Sequence, residues 1–184
     1  KKITIDSATM MNKVFEIIEA KKIFNFDYHK LSILVHPKSY VHAIVKFSNG
    51  LTKMLIHDTN MIIPIFNSLY SNNKKKIKSN KFNLSIMNNL NFKELDKKKF
   101  PVVKILNLLP KNDSLFETVL VTANDILVRK FLNNEIKFLD ISKLLLKIIN
   151  NKEFLKFKKI TPKKIDQITH LSHYVSLKTS ALVV

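Results

Sequence analysis

The sequence predicts an α+β fold: an α+β region with a small sheet, followed by an all-α helical bundle. Three observations carry this. The hydrophobic period is near two over the candidate strands before residue 70 and near 3.6 after Pro101, the two repeats that separate strands from helices. Ser48-Asn49-Gly50 separates two of the strand-like runs, and Asn-Gly suits a tight hairpin turn. Between the two periodic regions lies an Asn- and Lys-rich stretch of weak periodicity, which reads as a linker with local structure. The division is therefore 1–70 α+β, 71–99 linker and 100–184 helical bundle.

Element by element, Ile3-Thr4-Ile5 is apolar on alternate residues and predicts a short strand. Asp6 and Ser7 then offer N-cap chemistry for a helix over residues 8–24. Its apolar set is Met10, Met11, Val14, Phe15, Ile17, Ile18 and Ile23, with Asn12, Lys13 and Glu16 together on the other side. Residues 31–35, 40–47 and 51–56 read as strands, and residues 61–69 as a helix. Ser71-Asn72-Asn73-Lys74 marks a break. Beyond Pro101, helices are expected over 102–109 (stopped by Pro110), 115–133, 139–150 and 162–182. Asp140 and Ser142 are candidate caps of the third, and Thr161-Pro162 of the fourth.

Composition narrows the classes. At 184 residues with 46% hydrophobic and 25% charged content, the chain is long and apolar enough to build real cores and is not of disordered type. No apolar run reaches the roughly 20 residues of a spanning helix, so a soluble protein is expected. Residues 1–6 lack the pattern of a signal peptide and the chain does not begin with Met, which is expected of a processed chain or of a fragment, the second fitting better. Absence of Cys excludes thiolate metal sites. The net charge of +18 admits a nucleic-acid partner. However, Arg129 is the only Arg, where dedicated nucleic-acid binders favour Arg, so a Lys/Asn/Ile compositional bias is the preferred account. A single Gly, Gly50, leaves no Gly-rich phosphate loop or dinucleotide fingerprint.

The strongest constellation is Ser7, Asn12, Lys13 and Glu16. A capped helix start favours an anion, and a hydroxyl, an amide and an ammonium are phosphate donors. Glu16, one turn beyond Asn12, is a hard oxygen ligand suited to Mg²⁺ or Mn²⁺. From spacing alone, an ordinary amphipathic helix with a solvated polar face explains the same residues.

The run Lys2-Ile3-Thr4-Ile5-Asp6-Ser7-Ala8-Thr9-Met10-Met11-Asn12-Lys13, with Glu16 and Ile18-Glu19-Ala20, resembles the signature of the 1-deoxy-D-xylulose 5-phosphate reductoisomerase family. Val35-His36-Pro37-Lys38-Ser39-Tyr40-Val41-His42 is similar to that family's His-Pro-x-Ser-x-x-His segment, and Asn60-Met61 and Pro64-Ile65 follow at the family's distance. Phe100-Pro101, Thr122-Ala123-Asn124-Asp125 and Asn134 to Ile141 resemble its carboxy-terminal bundle.

The resemblance implies a fragment holding the remainder of a catalytic α+β domain plus the helical domain. It implies that Ser7, Asn12, Lys13 and Glu16 bind the phosphorylated sugar substrate, that Glu16 is one ligand of Mn²⁺ or Mg²⁺, and that Lys13 and His42 are catalytic. Ser39 would line the active site and Met61 would help enclose the nicotinamide of NADPH, itself bound mainly by an N-terminal domain not in this chain. For His42, a packed or solvated strand histidine stays open beside the active-site role. A cytoplasmic bacterial homodimer is implied, with no nucleic-acid or membrane partner, and a fragment inactive by itself. The chain departs from the family pattern at Leu55-Ile56-His57 and Asn60-Met61-Ile62, and it lacks the linker Trp. A basic nucleic-acid-binding module and a degenerate non-catalytic homologue are the alternatives.

Overall fold

The computed structural model describes residues 1–70, 75–81 and 83–182. In chain order the elements are α1 (Lys2–Thr9), α2 (Met11–Phe24), β1 (Leu34–Val35), β2 (Val41–Lys46), β3 (Thr52–Ile56), α3 (Ile62–Leu69), α4 (Leu84–Asn88) and β4 (Lys93–Glu94). They continue as α5 (Phe116–Leu132), α6 (Phe138–Ile149), α7 (Lys152–Leu155) and α8 (Ile165–Ala181), with 3₁₀ segments at Tyr28–Lys30, Pro101–Leu108 and Lys156–Lys159. The chain is mostly helical with two small two-stranded sheets. It forms two compact units, Lys1–Ile33 with Asp96–Val184, and Leu34–Leu95.

The first unit joins the amino-terminal helices to the bundle, whereas the sequence division placed them with the strands. The short strand expected at Ile3-Thr4-Ile5 is instead part of α1. Its β-branched residues favour a strand only weakly, and tertiary partners override that preference. On a helix, Lys2, Asp6 and Thr9 fall at spacings of four and three on one face, and this face meets α5 through a Lys2–Asp125 ion pair and an Asp6–Asn124 hydrogen bond.

The single helix expected over 8–24 is also corrected. It is broken at Met10, whose φ of 66° is left-handed, so Asp6 and Ser7 lie inside α1 and do not cap the second helix. Thr9 braces the corner: its Oγ1 donates to the Asp6 carbonyl at 3.2 Å and accepts from the Met11 N–H at 3.3 Å. Beyond it, α2 buries Met11, Val14, Ile17 and Ile18, a one-sided stripe, and ends at Asn25 in the left-handed conformation that Asn tolerates.

The core is built around α5, which packs on α6 and α8. Phe116, Leu120, Leu127, Leu145, Phe154 and Val175 form one cluster with Met11 and Val14 of α2. Residues 101–108 are 3₁₀, not the α-helix expected there. Pro101 begins the segment, and Pro110 holds Leu109 extended at φ −68° and ψ 135°, as a residue before proline prefers. Asp140 does serve the start of α6, accepting the Lys137 N–H at 3.0 Å. Thr161-Pro162 does not start the last helix; α8 begins at Ile165, where Gln167 accepts from the N–H groups of Lys163 and Lys164. Among the described residues no helix is long and apolar enough to cross a membrane.

Tyr28 packs against this core with its hydroxyl buried and without a hydrogen-bond partner. Burial first, then the Glu117 and Asp113 carboxylates, push its pKa up to about 12. The folded state therefore favours the neutral phenol. This contribution is complete below the ordinary value of 10.0 and is lost as pH rises through about 12. Tyr28→Phe is expected to leave stability at neutral pH unchanged or slightly raised, since it deletes an unsatisfied buried hydroxyl. It should also flatten the loss on the alkaline side, as read by denaturant unfolding at neutral pH and at about pH 11.

In the second unit, β1 pairs antiparallel with β4 (Leu34 with Glu94, Val35 with Lys93) and β2 with β3 (Ile44 with Met54, Val45 with Lys53). The expected strand at 31–35 is only two residues long. The hairpin forms where Asn49-Gly50 predicts it: Gly50 has φ 86°, its N–H donates to the Phe47 carbonyl, and the Asn49 side chain accepts from Leu51. The helix expected from residue 61 starts at Ile62. The stretch expected as a linker contributes α4 and β4; its Ser71, Asn72, Asn73 and Lys74 lie outside the described residues. Tyr40 is the one buried apolar side chain among those described in this unit, because a two-stranded hairpin has too little cover for either face.

Candidate functional site

The Met10 corner presents the polar cluster. Because α2 turns Met11, Val14 and Ile18 into the core, residues 12, 13 and 16 necessarily face outward on the opposite side. Asn12 Nδ2 donates to Glu16 Oε1 at 2.8 Å and Lys13 Nζ to Glu16 Oε2 at 2.7 Å. The Lys13 and Glu16 side chains are 46% and 45% exposed, so the cluster is accessible. Thr9 Oγ1 takes the N–H of Met11 at the start of α2, and the N-cap residue Met10 makes no side-chain cap hydrogen bond. The first-turn N–H groups of a helix have no acceptor within it, and the helix dipole adds positive potential there. Ser7 is exposed on α1, before the Met10 break.

Such an arrangement can hold an anion with donors from Ser7, Asn12 and Lys13. Glu16 is the carboxylate of the cluster. Among the described residues no group of three His, Asp or Glu side chains converges as a metal site. A carboxylate such as that of Glu16 is a hard oxygen donor of the kind a divalent ion takes.

Sequence reasoning missed the buried polar pair that joins α1 to α5. Asp6 is 4% exposed and Asn124 is fully buried, and Asn124 Nδ2 donates to Asp6 Oδ1 at 2.8 Å. Burial raises the Asp6 pKa, while the Asn124 amide and the Lys2 ammonium oppose the rise. The available signal was the spacing of Lys2, Asp6 and Thr9, which fits a helix and not the strand expected there.

The remaining candidates lie in the second unit. Ser39 occupies an exposed turn with φ 50°, its N–H donating to the His36 carbonyl at 2.9 Å. His42 sits at a register irregularity in β2. Its ring stacks on His57 with centroids 3.6 Å apart and planes 5° from parallel, and its Nε2 lies 3.3 Å from the His57 carbonyl oxygen. Met61 is exposed immediately before α3. The structure therefore brings Asn12, Lys13 and Glu16 together in one unit, with Ser7 one helix away, and holds Ser39, His42 and Met61 in the other.

Fold and cluster define a mostly helical chain, with small two-stranded sheets, that carries an exposed Asn12-Lys13-Glu16 cluster on α2. Residues 1–24 match the profile for the 1-deoxy-D-xylulose 5-phosphate reductoisomerase C-terminal domain, and residues 57–176 match that for the DXP reductoisomerase C-terminal domain. The chain belongs to the 1-deoxy-D-xylulose 5-phosphate reductoisomerase family. It is 65% identical over its whole length to the 1-deoxy-D-xylulose 5-phosphate reductoisomerase of Pelagibacter ubique, covering 47% of that protein. It resembles the Zymomonas mobilis reductoisomerase in complex with NADPH, with a TM-score of 0.84 and 28% identity, covering 100% of this chain and 47% of that one. A reductoisomerase in complex with NADPH, fosmidomycin and magnesium gives a TM-score of 0.87 at 28% identity, covering 100% of this chain and 46% of that one. The chain thus spans about half the length of these relatives.

Proposed function

We propose that this chain is the carboxy-terminal part of a reductoisomerase that converts 1-deoxy-D-xylulose 5-phosphate to 2-C-methyl-D-erythritol 4-phosphate with NADPH and a divalent metal, in isoprenoid precursor synthesis. The observation that carries the reading is the joining of Asn12 and Lys13 to the two oxygens of Glu16 on one exposed helix face, in a chain of this family.

On this reading Ser7, Asn12 and Lys13 grip the substrate phosphate and neighbouring oxygens, which fixes the position of the sugar. Lys13 also keeps a positive charge beside the reacting oxygens. Glu16 supplies one oxygen ligand of Mg²⁺ or Mn²⁺, with the other ligands coming from outside this chain. When bound, the metal polarises the substrate carbonyl and stabilises developing negative charge on oxygen. NADPH supplies the hydride and is held chiefly outside this chain; in the second unit Met61 is proposed to help enclose the nicotinamide, His42 to be catalytic and Ser39 to line the active site. The exposed Ile44, Val45, Met54 and Leu55 of the hairpin support a homodimer that covers them. The enzyme is proposed to be cytoplasmic.

Consumption of NADPH with 1-deoxy-D-xylulose 5-phosphate and Mg²⁺ tests this in the full-length protein that carries the chain. Turnover is expected there, and none from the 184 residues by themselves. No NADPH consumption by the full-length protein would favour the non-catalytic homologue, a reading that the departures at Leu55-Ile56-His57 and Asn60-Met61-Ile62 keep specific.

A further inference from the structure

We infer that Asp6 and Asn124 are a positioning pair that seats α1 on the bundle and so sets Ser7 against Asn12, Lys13 and Glu16. The inference rests on the proposed phosphate role of that corner. Little else anchors α1: Ile3 is 74% exposed, and among its apolar side chains Ile5 packs, partly buried, against the core. The polar contacts do the seating instead. Asn124 Nδ2 reaches the Asp6 carboxylate across 118 positions of sequence, and Lys2 pairs with the adjacent Asp125. Thr9 then carries the constraint across the Met10 corner, donating to the Asp6 carbonyl and accepting from the Met11 N–H. Ser7 follows Asp6 directly in sequence, so a shift of the Asp6 backbone moves the Ser7 hydroxyl, whereas α2 keeps its own apolar anchors.

The chemistry of the pair makes it testable. Asn124 Oδ1 is buried without a partner, so removing the Asp6 carboxyl strands both polar atoms of the amide. Asp6→Asn keeps an acceptor for Asn124 and adds an N–H for that oxygen. Asn124→Asp sets two carboxylates together, and the swap Asp6→Asn/Asn124→Asp restores one donor and one acceptor with the direction reversed.

The test uses the full-length protein. It measures the dissociation constant of inorganic phosphate by calorimetry, KM and kcat for the phosphorylated sugar, and melting temperature. Asp6→Ala and Asn124→Asp are each expected to weaken phosphate and raise KM by about tenfold or more, with kcat changed less. Asp6→Asn and the swap should lie within about threefold of wild type. If Asp6→Ala does not fold, Asp6→Asn, Asn124→Asp and the swap decide the matter by themselves. Phosphate affinity and KM unchanged in folded Asp6→Ala or Asn124→Asp would overturn the inference, as would a swap no better than Asn124→Asp. A wild-type protein that binds phosphate without turning over the sugar would fail the proposed reaction and leave the pair still measurable by phosphate affinity.

Discussion

Glu16→Gln in the full-length protein should lower kcat by roughly a thousandfold, corresponding to about 4 kcal/mol of lost transition-state stabilisation. The substitution keeps the shape of the side chain and an oxygen to accept from Asn12. It removes the negative charge that pairs with Lys13 and that a hard divalent ion requires. Its effect on folding should be small, because the Lys13–Glu16 pair is exposed on both sides and such pairs contribute at most about 1 kcal/mol. A melting temperature close to wild type, with a much higher Mg²⁺ concentration for half-maximal rate, would place the loss at the metal. Wild-type turnover in this variant would remove Glu16 from the metal's ligands.

The second large effect lies in the core. Phe116 is fully buried near the start of α5, in the same cluster that holds Met11 and Val14 beneath the polar corner. Lys158 lies over its ring at 4.8 Å. Phe116→Ala should cost about 3–5 kcal/mol through lost transfer energy and the remaining cavity. Against a total stability of about 5–15 kcal/mol this is a large fraction, and a fall in melting temperature on the order of 10 °C is expected. Leu139→Ala, at a position 80% exposed, is the control and should change stability by no more than about 0.5 kcal/mol. A Phe116→Ala protein as stable as wild type would show that this cluster does not bear the fold.

Much of the molecule was legible before the structure. The Asn12, Lys13 and Glu16 grouping follows from helical spacing alone, and it stands as drawn. Gly50 located the hairpin because few residues other than Gly accept its positive φ at low cost. The long helices after Pro110 declared themselves through apolar periodicity. The errors cluster where partners distant in sequence decide the local structure. Ile3-Thr4-Ile5 has the look of a strand, but three residues contain too little periodic information to oppose one buried hydrogen bond to Asn124. The corner at Met10 was equally hidden, since a left-handed Met carries no sequence signature of its own.

The sequence by itself therefore determined which side chains share the face of α2, and hence the chemistry that the corner can offer. Only the tertiary structure decided where that face begins and what holds it: a break at Met10, braced by Thr9 and tied through Asp6 to α5. The physical reason is range. Spacing on one helix is set by backbone geometry within a few residues, while the choice between strand and helix at residues 3–5 rests on a buried polar pair formed by the fold as a whole.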